Sequence, residues 1–156
     1  MNDHSFLRRA AAVCREGIAA GQSPFGAVVV RAGRVVVAAH NTVWRDLDPT
    51  AHAEVNALRA AALALSTIDL NGCTLYSTCE PCPMCLAAIH WANVDRVVFG
   101  ASIADASAAG FRELAISAVL MVSLGGSPLR VEGGVLREEC AGLFREWKEL
   151  GKSRTY

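Results

Sequence analysis

The 156-residue sequence has no excess of charge of either sign, since 15 lysines and arginines balance 15 aspartates and glutamates. That balance excludes the broad basic surface that holds phosphate backbones, so a small neutral substrate fits better than a nucleic acid. The sequence also lacks any apolar run approaching the roughly 18 uninterrupted residues of a membrane helix. Its opening, MNDHSFLRRAAAVCREG, lacks the long apolar stretch of a signal peptide. A soluble, cytoplasmic protein without membrane contact is expected. No repeat, linker or low-complexity tract interrupts the chain, so a single domain is expected over residues 1–156. What is abundant is apolar: 53% of the residues, ample for one well-filled core. Six cysteines allow three bridges, but a domain with such a core has no need of them, and reduced thiols are expected.

Phe6 to Ala20 is alanine-rich and helix-like and ends at Gly21. FGAVVVR and RVVVAAH then flank the turn AG as two strands of a hairpin. NTVWRDLDPT carries turn chemistry and leads into AHAEVNALRAAALAL, where Val55, Leu58, Ala62 and Leu65 recur at helical spacing. CTLYST reads as a buried strand, Pro81 to Trp91 as a helix and RVVFG as a strand. Two β-helix-β passages in succession predict parallel neighbours and a sheet covered on both faces, hence a three-layer α/β/α domain. Beyond Gly100, ADASAAGFRELAISAVLMV is predicted helical, PLRVEG a short strand and LREECAGLFREWKELGK an amphipathic helix.

Three residues stand out as metal ligands: His52 in HAE, and Cys82 and Cys85 in PCPMC. All lie at predicted helix starts, where Pro81 suits the first positions and the positive helix end favours thiolate over thiol. One histidine and two cysteines match a catalytic zinc, which leaves its fourth position to water, whereas a structural zinc closes with a fourth protein ligand. Glu54, two residues after His52, supplies a carboxylate able to take a proton from such a water and pass it to a leaving group.

H-x-E followed by P-C-x-x-C is the signature of the zinc-dependent nucleobase deaminases, and both halves are present without a gap. From about residue 5 onward the sequence resembles the cytidine deaminase-like superfamily, which implies a central five-stranded mixed sheet sandwiched by helices. PFGAVVV, PTAHAEVNALR and CEPCPMCLAAIHWA look most like bacterial guanine deaminases, as do DASAAGF followed by Glu113 and the tail FREWKELGKSRTY. The resemblance implies one zinc per chain and hydrolysis of a free purine base, guanine to xanthine with release of ammonia. Glu113 then assists at the leaving group, and Phe25, Asn41, Trp91 and Tyr156 contact the base. It also implies a homodimer in which the tail, from about residue 150 to 156, crosses to a partner subunit and Tyr156 covers the neighbour's substrate. The tRNA adenosine deaminases share the zinc motifs but usually carry a more basic surface. Residues 111–134 depart from the guanine deaminase pattern in being more apolar than that pattern leads one to expect, as if shaping a different pocket.

Plainer readings stand beside these. A structural zinc would recruit Cys79 or His90 as fourth ligand and has no use for Glu54. Cys14, Cys73, Cys79 and Cys140 read as small core residues. Phe25 and Trp91 are core aromatics or the walls of a purine slot. Asn41 either caps a turn or fixes a base by its polar edge. Rival functions are a deaminase of cytosine, isocytosine, a nucleoside or tRNA adenosine, and a non-catalytic zinc-stabilised interaction domain.

Overall fold

In the computed structural model, which describes residues 2–151 and 153–156, the strands β1 (Gly26–Arg31), β2 (Arg34–His40), β3 (Cys73–Cys79), β4 (Arg96–Ala101) and β5 (Arg130–Glu132) form one sheet. Its order is β2-β1-β3-β4-β5. β1 runs antiparallel to β2 and β3, whereas β3, β4 and β5 are parallel. The hairpin turn is Ala32-Gly33, both with positive φ (48° and 72°), the backbone twist that a two-residue hairpin requires.

Helix α1 (Asp3–Ala19) opens with a capping box in which the Asn2 side chain accepts from the Ser5 N–H. It covers one face of the sheet beside α7 (Arg137–Glu149); α3 (Ala53–Leu65) and α4 (Pro83–Trp91) cover the other. β1 shows why its sequence is a continuous apolar run. Ala27 and Val29 pack with Ala57, Leu58 and Ile89 on the α3/α4 side, while Val28 and Val30 pack with Phe6, Leu7 and Ala10 of α1. Of the non-ligand cysteines, Cys14, Cys79 and Cys140 sit in the α1/α7 core and Cys73 in the α3/α4 core; all six thiols of the chain are free. No helix among the described residues is long and apolar enough to cross a membrane.

Three expectations need correction. The predicted turn segment 41–50 contains a short helix, α2 (Val43–Asp46). The helix after the second cysteine motif starts at Pro83, not Pro81, with Cys82 as its N-cap. The long helix expected from residue 104 to 122 is two short ones, α5 (Ile103–Ala109) and α6 (Ala118–Gly125), joined by an irregular segment, 111–117. Gly110 stops α5 at φ 108°, which L side chains rarely adopt, and Ser117 restarts the chain by accepting from the Leu120 N–H. Within residues 111–134, Met121, Val122 and Leu129 line a groove and Phe111 and Leu114 a second cavity, while Val119, Leu120 and Leu124 of α6 are exposed.

Candidate metal centre and active site

His52 and Cys82 are the N-cap residues of α3 and α4, both with extended backbone, and Cys85 lies in the first turn of α4. Two helix starts thus converge and bring His52, Cys82 and Cys85 together, with one ligand atom from each lying within 4.8 Å of the others. His52 Nδ1 is 3.6 Å from Cys82 Sγ and 3.4 Å from Cys85 Sγ. A tetrahedral zinc, with bonds of about 2.3 Å to sulfur and 2.0–2.1 Å to nitrogen, separates such atoms by about 3.6 Å. The donor set and both His52–sulfur spacings therefore fit zinc. The expected alternative ligands are engaged elsewhere: the Cys79 thiol donates to the Ser102 carbonyl, and His90 Nδ1 pairs with Ser127 Oγ at 2.7 Å.

The electrostatics agree with that assignment. Cys82 is held down to about 4, because the Cys85 thiol donates to it and His52 adds a second hydrogen bond that together outweigh burial. Cys85 is correspondingly raised, as the donor of that bond and as a buried thiol. Burial opposes protonation of His52, but its hydrogen bond to Cys82 and the nearby Glu54 leave it raised. Of the two thiols, Cys82 is thus the one held toward thiolate even without a cation.

Glu54 is 5% exposed, and burial raises its affinity for a proton. Ser77 Oγ donates to Glu54 Oε1 at 3.1 Å, which leaves Oε2 facing Cys85 Sγ at 3.5 Å. Ser77 was not singled out in the sequence, where it is one more small residue of a buried strand. Glu113, from the irregular segment, lines the same cavity as His52, Glu54 and Cys82, and burial, with Cys82 beside it, pushes its carboxyl up to about 7. Phe25 forms a wall, its ring 4.9 Å from Phe111 and 5.8 Å from Phe144. Phe111 is a further aromatic of the site that sequence reading passed over, because it falls inside the span taken for a helix.

Asn41 is fully buried, with Oδ1 accepting from the Val43 N–H at 3.1 Å and Nδ2 donating to the Tyr156 hydroxyl at 2.6 Å. One end of the amide thus holds the first N–H of α2 and the other holds Tyr156. Asn56 of α3 fixes the surrounding loop by donating to the His40 carbonyl and to Thr42 Oγ1. Tyr156 lies over His52, ring centroids 5.5 Å apart, and its carbonyl accepts from the Arg112 N–H. Arg154 stacks over Trp44 at 4.4 Å, and the Trp44 indole donates to the Arg154 carbonyl. Within the single chain, then, the tail reaches its own site; Lys152, part of that tail, lies outside the described residues.

Trp91 is the one expected substrate contact that the fold does not bring to the site. It ends α4, is 83% exposed and borders a groove with His90 and Met121 that has no lining residue in common with the His52 cavity. In a nine-residue helix, Trp91 is six residues beyond Cys85, on the opposite end from the ligands. The cavity between Phe25, Glu54, Glu113 and Tyr156 measures about 20 Å³, and a wider one of about 240 Å³ opens beside it toward Pro49, Met84 and Leu114.

Residues 1–101 match the family described as the cytidine and deoxycytidylate deaminase zinc-binding region. Guanine deaminase of Bacillus subtilis (strain 168) is 48% identical over 112 residues, 71% of this chain and 72% of that protein. The tRNA-specific adenosine deaminase of the same organism is 34% identical over 155 residues, 97% of this chain and 94% of that protein. The solved structure of guanine deaminase from Nitrosomonas europaea superposes with a TM-score of 0.86 at 32% identity, covering 94% of this chain and 84% of that one. A five-stranded mixed sheet, a His-Cys-Cys triad at two helix starts and a matching family over most of the chain lead to one assignment: the chain belongs to the zinc-dependent cytidine deaminase-like superfamily.

Proposed function

We propose that the protein is a guanine deaminase, converting guanine and water to xanthine and ammonia. The observation that carries this reading over a polynucleotide substrate is the Tyr156 roof: its ring lies over His52 and its hydroxyl is bonded to Asn41, so the cavity is walled for a free base. The 48% identity to the Bacillus subtilis guanine deaminase supports the same substrate. The neutral charge balance argues against a surface built for tRNA.

His52, Cys82 and Cys85 hold the zinc, which when bound supplies the Lewis acidity that readies a water for attack at neutral pH. Glu54 does the proton work. Its Oε1 is fixed by Ser77, so Oε2 is the oxygen that takes the proton of the attacking water. Burial makes the carboxyl retain that proton until it is passed to the ring nitrogen beside the amino-bearing carbon; in a second transfer the carboxylate takes the proton of the newly added hydroxyl and gives it to the departing amine, leaving a carbonyl and ammonia. Glu113 faces the leaving group and assists its departure. Phe25 lies against the ring of the base, and the Asn41 Nδ2 donor, released by Tyr156, fixes an acceptor on its edge. Tyr156 closes the cavity and excludes water.

The tRNA adenosine deaminase reading is second, favoured by the 34% identity that extends over 97% of the chain. Ammonia release from a panel of bases, nucleosides and a tRNA anticodon arm separates the two.

We further propose a homodimer. Trp91, Leu120 and Leu124 expose apolar side chains along α4 and α6, a surface suited to a second copy. In that dimer the tail beyond Gly151, a joint with φ 65°, exchanges between subunits, and the contacts of Tyr156 with Asn41 and His52 are made across the interface. The thiolate ligands and free thiols suit a reducing compartment, and we place the protein in the cytoplasm.

A further inference from the structure

Glu113 sits on an irregular segment. Residues 111–117 have no regular secondary structure: the segment begins at the buried Phe111, Arg112 N–H reaches the Tyr156 carbonyl, and beyond these its backbone bonds stay within the segment, Glu113 N–H to the Phe111 carbonyl and Ile116 N–H to the Leu114 carbonyl. The helices that flank it, α5 and α6, are both tied at their first residues to one side chain. Glu80 Oε2 accepts from the Ile103 N–H at 3.0 Å and Glu80 Oε1 accepts from the Ala118 N–H at 2.8 Å. These are the first residues of α5 and α6, where helix N–H groups have no partner within the helix. Both residues are buried, so neither N–H has water as a substitute. Glu80 is itself anchored to the sheet's end by its N–H to the Ala101 carbonyl, and it stands two residues before Cys82.

We infer that Glu80 is a positioning residue: its carboxylate closes residues 103–118 into a loop against the metal-ligand segment and thereby sets where Glu113 stands relative to His52 and Cys82. It is not a second shuttle, although it lines the same cavity as Glu54 and Glu113. Each of its oxygens already accepts from a backbone N–H, and the geometry that serves both helix starts leaves it poorly placed to exchange protons with a substrate. Among the carboxylates of the cavity the division is thus one for proton transfer, one for the leaving group and one for holding the second in place. This role rests on the deaminase reading only through the part given to Glu113; the clamp itself does not.

The test uses the zinc-loaded full chain and two variants. Glu80→Gln keeps the shape but turns one acceptor into a donor facing an N–H, and Glu80→Asp is too short to reach both helices. The structural readout is limited trypsin digestion after Arg112, an exposed residue of the held segment. Cleavage there is expected to speed by roughly tenfold in both variants, as fits the loss of a buried acceptor, with zinc content unchanged. The kinetic readout is a cycle with Glu113→Gln on guanine. Glu80→Gln alone should lower kcat by about tenfold, and adding it to Glu113→Gln should change kcat by less than about twofold, because it acts through that residue. Unchanged cleavage at Arg112 overturns the clamp whatever the kinetics. Independent, multiplicative losses in the double variant overturn the connection to Glu113. If Glu80→Gln does not fold, Glu80→Asp decides by the same two readouts. If wild-type protein deaminates no guanine, the functional reading fails instead, and the digestion still decides the clamp.

Discussion

Tyr156 and Asn41, 115 residues apart in the chain, meet through a 2.6 Å hydrogen bond in which the asparagine amide donates to the phenol oxygen. The bond ties the end of the tail to the end of β2, and the tyrosine ring beside His52 makes it the outer wall of the metal site. With a cavity of about 20 Å³ beneath it, room for about one water, the closed tail has to shift before a purine enters.

Removing residues 153–156 should therefore leave zinc content and solubility unchanged and lower kcat/KM by about tenfold or more, since water is no longer excluded. Tyr156→Phe, which keeps the ring and removes the acceptor, should lose less. Steady-state kinetics on guanine check both; full activity in the truncated protein would show that the tail is no lid.

Trp91→Ala should alter KM for guanine by less than about twofold, because the side chain borders a groove separate from the cavity. Sedimentation of the same variant should show a weakened dimer, as the lost ring belongs to the exposed apolar face of α4. A large rise in KM with association unchanged would reverse both assignments.

The pH dependence of stability follows from Glu113. Burial raises its carboxyl from 4.5 to about 7, so the folded chain binds this proton more tightly than the unfolded chain. Its contribution is present below pH 4.5 and lost as pH rises through about 7. In zinc-free protein, Glu113→Gln should gain stability relative to wild type between pH 5 and pH 8, as read from thermal melts, because the glutamine never ionises. A flat difference across that range would mean Glu113 is not in the buried setting described.

Cys82→Ser and His52→Ala should each reduce bound zinc well below one per chain by metal analysis, since two remaining ligands do not hold the ion at neutral pH.

The metal ligands and Glu54 were legible in the sequence because their chemistry is written in short spacings: H-x-E places a carboxylate one helical step past a ligand, and P-C-x-x-C puts both thiols in one helix turn. The strands were legible because β1 and β4 are buried on both faces and so carry runs of valine, while β3, also buried, is rich in β-branched and aromatic residues. Trp91 was misplaced for a related reason. Its helix is apolar all round, and periodicity does not tell which end of so short a helix meets the site. The 103–122 region misled because alanines and leucines of good helix propensity surround Gly110 and Ser117, and the stop and start signals were outweighed. Ser77, Phe111 and Glu80 act through partners far away in sequence, and no local pattern marks such contacts.

The most direct measurement is the yield of xanthine and ammonia from guanine, comparing zinc-loaded wild type with Glu54→Gln. The account predicts equal amounts of both products from wild type and a rate lower by about 100-fold or more in the variant, with fold and zinc retained. Wild-type protein that holds zinc yet leaves guanine intact while deaminating adenosine in tRNA, or a Glu54→Gln variant that works at the wild-type rate, would contradict it.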